Sequence, residues 1–202
     1  MKQTRKSYKF LSNIFSLPSR KVLSTMLNRI PFRAGINEPL FEHLKKRVSK
    51  LKTIEKYCVL MFDEIALSPG LTYNSKTDSV EGFVDHGGPN RRLEFADHAL
   101  TFIVKGIHKK WKQVVCFTFC QGTTSSSDLC KILTDVIRHF RSCGLSIVAT
   151  ISDQGSTNRA AINQLLANTR RHLNVQGREN RLQGYLIDGE EIVHLYDLLA
   201  MF

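Results

Sequence analysis

Two short apolar runs, each closed by an acid, constrain this 202-residue chain more than any other feature. Tyr57–Phe62 reads YCVLMF and stops at Asp63-Glu64, and Leu145–Ile151 stops at Ser152-Asp153. A continuous apolar run of that length is a strand, and its lack of alternation marks a strand covered on both faces. Such strands belong to sheets flanked by helices, where ligands gather beyond the carboxyl ends of the strands. Asp63 and Asp153 stand at those ends. If the two strands are neighbours, the carboxylates meet, and close carboxylates repel unless a cation lies between them. Hard oxygen donors suit Mg²⁺ or Mn²⁺. Two such ions ~3.5–4 Å apart activate a water or 3′-hydroxyl and stabilise the leaving oxygen in phosphodiester chemistry. The competing reading is structural: aspartates at loop starts cap helices, and Asp153 precedes one.

The remaining pattern supplies the rest of a mixed sheet. Leu71–Tyr73 and Val80–Val84 are expected as short strands around a turn, and Ala99–Val104 and Val114–Phe119 as longer ones. A helix is expected from about Ser127 to Cys143, with Leu129, Ile132, Leu133, Val136, Ile137 and Phe140 inward and Gly144 as its stop. Another runs from Gly155 to about His172. Beyond residue 173 the signal is poor, with Ile192–Tyr196 a candidate last strand. Consecutive strands followed by helix, strand and helix imply a mixed sheet flanked by helices, the order an RNase H-like fold gives. Trp111 reads as a core or edge aromatic.

The charge is distributed unevenly. Residues 1–56 hold 14 Lys/Arg against three acids, whereas the rest of the chain is balanced at 15 of each. The whole net charge of +11 therefore lies in the first quarter, as expected of a polyanion-binding segment joined to a body of different purpose. That segment reads as two helices. The first spans about 20–30, capped by Ser19 and ended by Pro31. Phe32–Ile36 is a turn. The second starts at the Asn37 cap and runs to about Lys52. Its apolar face is Leu40, Phe41, Leu44, Val48 and Leu51, and Lys45, Lys46, Arg47 and Lys50 populate the other side. Two short helices with a tight turn, the second basic, fit a helix-turn-helix, with Lys45, Lys46, Arg47 and Lys50 as candidate DNA contacts. Two helices packed on a neighbouring domain give the same pattern. No run nears the ~20 apolar residues of a membrane span, and the N-terminus lacks the apolar stretch of a secretory signal. Five cysteines without CxxC spacing read as buried reduced thiols rather than a zinc site.

The ordered motifs carry a resemblance. Val59-Leu-Met-Phe-Asp63-Glu64-Ile65, Leu71-Thr-Tyr73-Asn74 and Gly82-Phe83-Val84-Asp85 come first. Ala96-Asp-His98-Ala99-Leu100, Gly106-Ile107, Trp111-Lys112-Gln113, Gly144-Leu145 and Ser152-Asp153-Gln154-Gly155-Ser-Thr-Asn158 follow. Together they resemble the P element family of transposases and their THAP-domain relatives. Leu17-Pro18-Ser19-Arg20 and Phe32-Arg33-Ala34-Gly35-Ile36 resemble the stretch before that domain. The likeness covers roughly residues 15–197.

The resemblance implies a basic helix-turn-helix over residues 1–54 and an α/β, RNase H-like transposase domain over 55–202. It implies DNA cleavage and strand transfer with Mg²⁺ or Mn²⁺, on transposon ends and target DNA, in the nucleus, with a homo-oligomer as an open expectation. Asp63 and Asp153 match the first two acids of the family's catalytic triad. The zinc-coordinating THAP domain has no counterpart here, nor does the GTP-binding insertion or the third acid that follows it. Glu190, Glu191 and Asp197 do not stand at the third acid's position. The expectation is an incomplete catalytic fold, a truncated or domesticated copy. The alternative is a non-catalytic DNA-binding or interaction protein derived from a transposase.

Overall fold

The computed structural model describes residues 5–27, 33–75, 78–88 and 91–197. Packing divides the chain into two units, Met1–Phe32 and Arg33–Phe202. The second basic helix packs into the larger unit through Phe41, Leu44 and Val48.

In the first unit, α1 (Arg5–Ile14) and α2 (Arg20–Leu27) are joined by a short link. Ser19 caps α2 as expected, its Oγ accepting from the Val22 N–H at 3.2 Å. The Tyr8 hydroxyl donates to the Pro18 carbonyl at 2.7 Å. The sequence hides α1 because its apolar residues are interleaved with bases. Residues 28–30, where α2 was expected to end, and Pro31-Phe32 of the expected turn lie outside the described residues.

The second unit opens with β1 (Gly35–Ile36), α3 (Glu38–Val48) and a 3₁₀ turn (Thr53–Lys56). Asn37, buried, caps α3 by accepting from the Leu40 N–H at 3.2 Å. Pro39 sits in the first turn, where no N–H is needed. Phe41, Leu44 and Val48 enter the main core.

Then come β2 (Tyr57–Ala66), the hairpin β3 (Thr72–Asn74) and β4 (Ser79–Glu81), β5 (Phe83–Asp85), β6 (Arg91–Phe95), β7 (His98–Gly106) and β8 (Lys112–Cys120). They are followed by α4 (Ser126–Ser142), β9 (Ser146–Ser152), α5 (Ser156–Val175), β10 (Tyr185–Ile187) and β11 (Glu190–Tyr196). Among the described residues the main sheet runs β10-β11-β9-β2-β7-β8-β5-β6, with β1 also on β8. The central β2 is antiparallel to β7 and parallel to β9, and β11 extends the parallel part. This is the mixed α/β, RNase H-like architecture the element order implied.

Three details depart from the expected elements. The single strand Val80–Val84 is two strands, because Gly82 has φ +114° and any Cβ there would sit 2.0 Å from the Gly70 carbonyl oxygen. Strand β6, five exposed residues long, carried no apolar signal. β2 runs on through Asp63 and Glu64 to Ala66, since pairing with β7 continues past the apolar run.

Leu60, Phe62, Leu100, Phe102, Val104 and Cys116 point to one face of the sheet and join α3, α4 and α5 in one core. Helix α4 contributes Leu129, Leu133, Val136, Ile137 and Phe140, all at most 1% exposed. The Phe41 and Phe140 rings meet edge-on at 5.1 Å, a pairing worth about 0.5–1.5 kcal/mol beyond its burial. Helix α4 ends in a Schellman motif. Leu145 N–H donates to the Phe140 carbonyl at 3.0 Å and Gly144 N–H to Arg141 at 2.8 Å. All five cysteines are buried free thiols; desolvation pushes Cys58 and Cys116 up to about 12. Trp111 is partly buried against the core, its indole close over Gly106.

Candidate metal centre

Asp63 and Asp153 are brought together by register. β2 and β9 are parallel neighbours with Met61 level with Ile151. Each aspartate lies two residues further on, so alternation turns both to the face that carries Met61 and Ile151. Both line one open cavity of about 230 Å³, with Met61, Ile65, Ile103 and Ile151 as apolar walls beside Thr101. The opposite face of the same strands is the packed core, so the carboxylates stand on the side of the sheet away from α4 and α5.

The two acids are held differently. Asp63 accepts from the Glu64 N–H at 2.8 Å through Oδ1, and its carbonyl accepts from the Thr101 hydroxyl at 3.2 Å. Asp153 Oδ1 accepts from the Gly155 N–H at 3.1 Å and from the Asn158 side-chain amide. Asp153 therefore organises the start of α5, as the structural reading expected, while also facing the cavity. The two readings are compatible, since the bonds are made at Oδ1.

Beneath the site lies a polar network the sequence did not announce. The Thr150 hydroxyl meets Tyr185 Oη at 3.0 Å and His194 Nδ1 at 2.9 Å, and Ser152 Oγ lies 3.4 Å from His194 Nε2. Burial lowers the His194 imidazole to about 4. Glu64, next to Asp63, faces the other way and accepts from the Thr124 N–H at 2.8 Å, tying β2 to the loop before α4. These roles depend on pairing between distant strands; the only local hint was that His194 and Ser152 sit in strand-like runs.

Asp197 also lines the cavity, and its N–H donates to the Ser152 carbonyl at 2.8 Å. It follows β11 directly, as Asp153 follows β9. Yet among the described residues no group of three or more His, Cys, Asp or Glu is placed to hold a metal ion. Glu190 and Glu191 are engaged elsewhere. Glu190 pairs with Arg141 at 2.9 Å, and Glu191 Oε1 accepts from the N–H groups of Gln183 and Gly184 at 2.7 and 2.8 Å. In chemistry, Asp63 and Asp153 are hard oxygen donors of the kind that suits a divalent cation such as Mg²⁺ or Mn²⁺.

Lys45, Lys46, Arg47 and Lys50 are exposed. The first three occupy the last turn of α3, where positive charge also offsets the carbonyl end of the helix dipole.

Residues 32–166 match the family model described as TNP-like, RNase H N-terminal domain. The transposable element P transposase of Drosophila melanogaster is 29% identical over 145 residues, 72% of this chain and 17% of the relative. The human DNA transposase THAP9 is 23% identical over 151 residues, 73% of this chain and 17% of the relative. The chain thus spans about a sixth of the length of these curated relatives. Among solved structures, the Drosophila P element transposase strand transfer complex superposes with a TM-score of 0.67 at 24% identity. That match covers 97% of this chain and 38% of the other, and it supports the fold.

Proposed function

The chain belongs to the TNP-like RNase H N-terminal domain family, and from that premise we propose that it supplies the first two metal-binding acids of a DNA transposase catalytic core. The reaction is metal-dependent cleavage of DNA and strand transfer, on transposon ends and target DNA in the nucleus. The observation that carries this reading is the placement of Asp63 and Asp153 at matched positions on neighbouring parallel strands, facing one cavity.

Asp63 and Asp153 would hold Mg²⁺ or Mn²⁺. The ion would supply Lewis-acid stabilisation of the phosphodiester oxygens. The chain's own part is to fix the donors. The β2–β9 ladder sets their spacing, and the Gly155 N–H and Asn158 amide fix the Asp153 rotamer, as outer-shell partners commonly do at metal sites. The apolar walls from Met61, Ile103 and Ile151 narrow the access of water. The basic face of α3, with Lys45, Lys46, Arg47 and Lys50, is the proposed contact to DNA phosphates. A complete active centre would need a third acid from outside this chain. GTP, which the family resemblance brings with its insertion, would bind outside it too.

The test is Mn²⁺ titration of the chain itself, followed by calorimetry or electron paramagnetic resonance. Asp63→Asn and Asp153→Asn should each weaken binding at least tenfold while leaving duplex DNA affinity largely intact. Mn²⁺ affinity unchanged by both substitutions would remove the assignment. A second reading, a non-catalytic DNA-binding protein derived from a transposase, draws on the absence of a three-ligand metal group among the described residues. It predicts DNA binding in the wild type without measurable Mn²⁺ affinity.

A further inference from the structure

A second cavity lies away from the two aspartates, between the β1, β5 and β6 edge of the sheet and the first turns of α4, with a volume of about 620 Å³. Its size falls in the range of about 300–1,000 Å³ typical of small-molecule sites. Three observations distinguish it from a surface dent. First, two glycines that line it touch each other. Gly35 and Gly87 have φ +86° and +90°, and a Cβ on either would lie 2.7 or 2.5 Å from the other's Cα. Second, the side chain of Thr118 is directed to this cavity from β8, and the residue is 1% exposed. Its hydroxyl is buried without a hydrogen-bond partner. Leaving such a group unsatisfied costs about 1–3 kcal/mol, and nearly all buried polar groups have a hydrogen-bond partner, from the protein, water or a bound group. Third, the rim carries both signs. Arg92 and Lys131 supply cations, whereas Asp128 and Asp135 on α4 supply carboxylates. Asp128 accepts from the Ser125 hydroxyl at 2.7 Å and lies 3.8 Å from Lys131, and Asp135 lies 3.9 Å from Arg138, all in solvent-exposed pairs that a ligand can share. Arg91 also lines the cavity, but its guanidinium is committed to the Val80 carbonyl and the Phe83 ring.

A lone anion would not fit this pattern, since two carboxylates repel it. A lone cation would meet Arg92 and Lys131. The combination suits a molecule with a phosphate at one end and N–H or O–H donors at the other. We propose that this cavity binds a nucleotide unit, its phosphate toward Arg92 and Lys131, its base or sugar donors toward Asp128 and Asp135, and a polar atom on the Thr118 hydroxyl. That chemistry is shared by a free nucleotide and by a nucleotide of a single strand. The inference does not depend on the Asp63–Asp153 reading.

The test is a titration of ¹⁵N-labelled chain with deoxycytidine 5′-monophosphate, deoxycytidine, inorganic phosphate and a short single-stranded oligodeoxycytidylate. Amide shifts should concentrate at Gly35, Gly87 and Thr118. Thr118→Val, which removes an unpartnered hydroxyl at constant shape, should leave the thermal midpoint of the free chain unlowered yet weaken nucleotide binding about tenfold. Lys131→Gln, an exposed change, should weaken it similarly and serves if the valine variant does not fold. Tighter binding of the oligonucleotide than of the monophosphate identifies a strand as the source, and the reverse order a free nucleotide. The proposal falls if no phosphate probe shifts these amides, leaving water as the partner of Thr118. It also falls if inorganic phosphate or deoxycytidine binds as tightly as the nucleotide, or if both variants bind like the wild type. An Asp63→Asn/Asp153→Asn chain should bind the nucleotide unchanged, so failure of the metal reading remains separable.

Discussion

His194 shows how one residue serves the site without touching it. Its imidazole bonds Thr150 and approaches Ser152, two residues of β9 just before Asp153. Phe62 and Tyr196 flank the ring at 6.2 and 4.5 Å between centroids. Desolvation disfavours the imidazolium, so the folded chain titrates this group at about 4 against an ordinary value of 6.5. Between those values the unfolded chain binds more protons than the folded one, so stability falls as pH drops through the window. Above 6.5 the effect vanishes, and below about 4 no further loss comes from this residue. Urea midpoints at pH 7, 5.5 and 4.5 should decline more steeply for the wild type than for His194→Gln. Parallel declines would show that other groups set the acid sensitivity. The same ring links β9 and β11, so acid loosening should be felt first where Asp153 is held.

Helix α3 carries two demands on one element. Its apolar face, Phe41, Leu44 and Val48, is core, while its last turn is basic. The helix begins at Asn37, whose side chain caps the Leu40 N–H and is 6% exposed. Asn37→Ala should cost about 1 kcal/mol, in the usual range for losing such a cap. It would lower the thermal midpoint without changing Mn²⁺ affinity, since β2 and β9 are untouched. An unchanged midpoint would mean that packing alone holds the helix. The cap was legible because Asn-Glu-Pro before an apolar period is local chemistry. Both aspartate-ended strands, the inward face of α4 and the Gly144 stop were legible for the same reason. What could not be read is what pairing decides. β6 carries only Leu93 and Phe95 as apolar residues and is an exposed edge, and β10 is three residues long. The expected boundary near residue 54 followed the charge, and apolar contacts from Phe41, Leu44 and Val48 draw α3 into the larger unit. The orphan hydroxyl of Thr118 and the buried His194 network arise from residues far apart in sequence. Nothing in their neighbours marks them.

At the scale of the whole chain, the decisive quantity is where the charge and the two cavity-facing aspartates sit. All of the net +11 falls within residues 1–56, and the remainder is balanced. A charge-balanced body with two carboxylates, Asp63 exposed and Asp153 half-buried, on an open sheet face has little reason to attract DNA by itself. The basic quarter would supply that attraction, and its share is measurable through salt. Each phosphate neutralised by a lysine or arginine releases condensed counterions. The slope of log affinity against log salt is about −0.9 per contact on duplex DNA. Replacing Lys45, Lys46, Arg47 and Lys50 together by Gln should therefore flatten the slope by up to about 3.6 if all four meet phosphates. The fold of the larger unit should persist, because these side chains are exposed and the buried face of α3 is kept. Fluorescence anisotropy with a short duplex between low and moderate salt reads the slope, and a thermal melt checks the fold. The contrary outcome is equally specific. If the four cations serve only to offset the carbonyl end of α3, the midpoint falls by an amount typical of lost dipole pairing, about 0.3–1 kcal/mol per charge. The salt slope then stays where it was, and DNA attraction would have to come from the other basic residues of the first quarter.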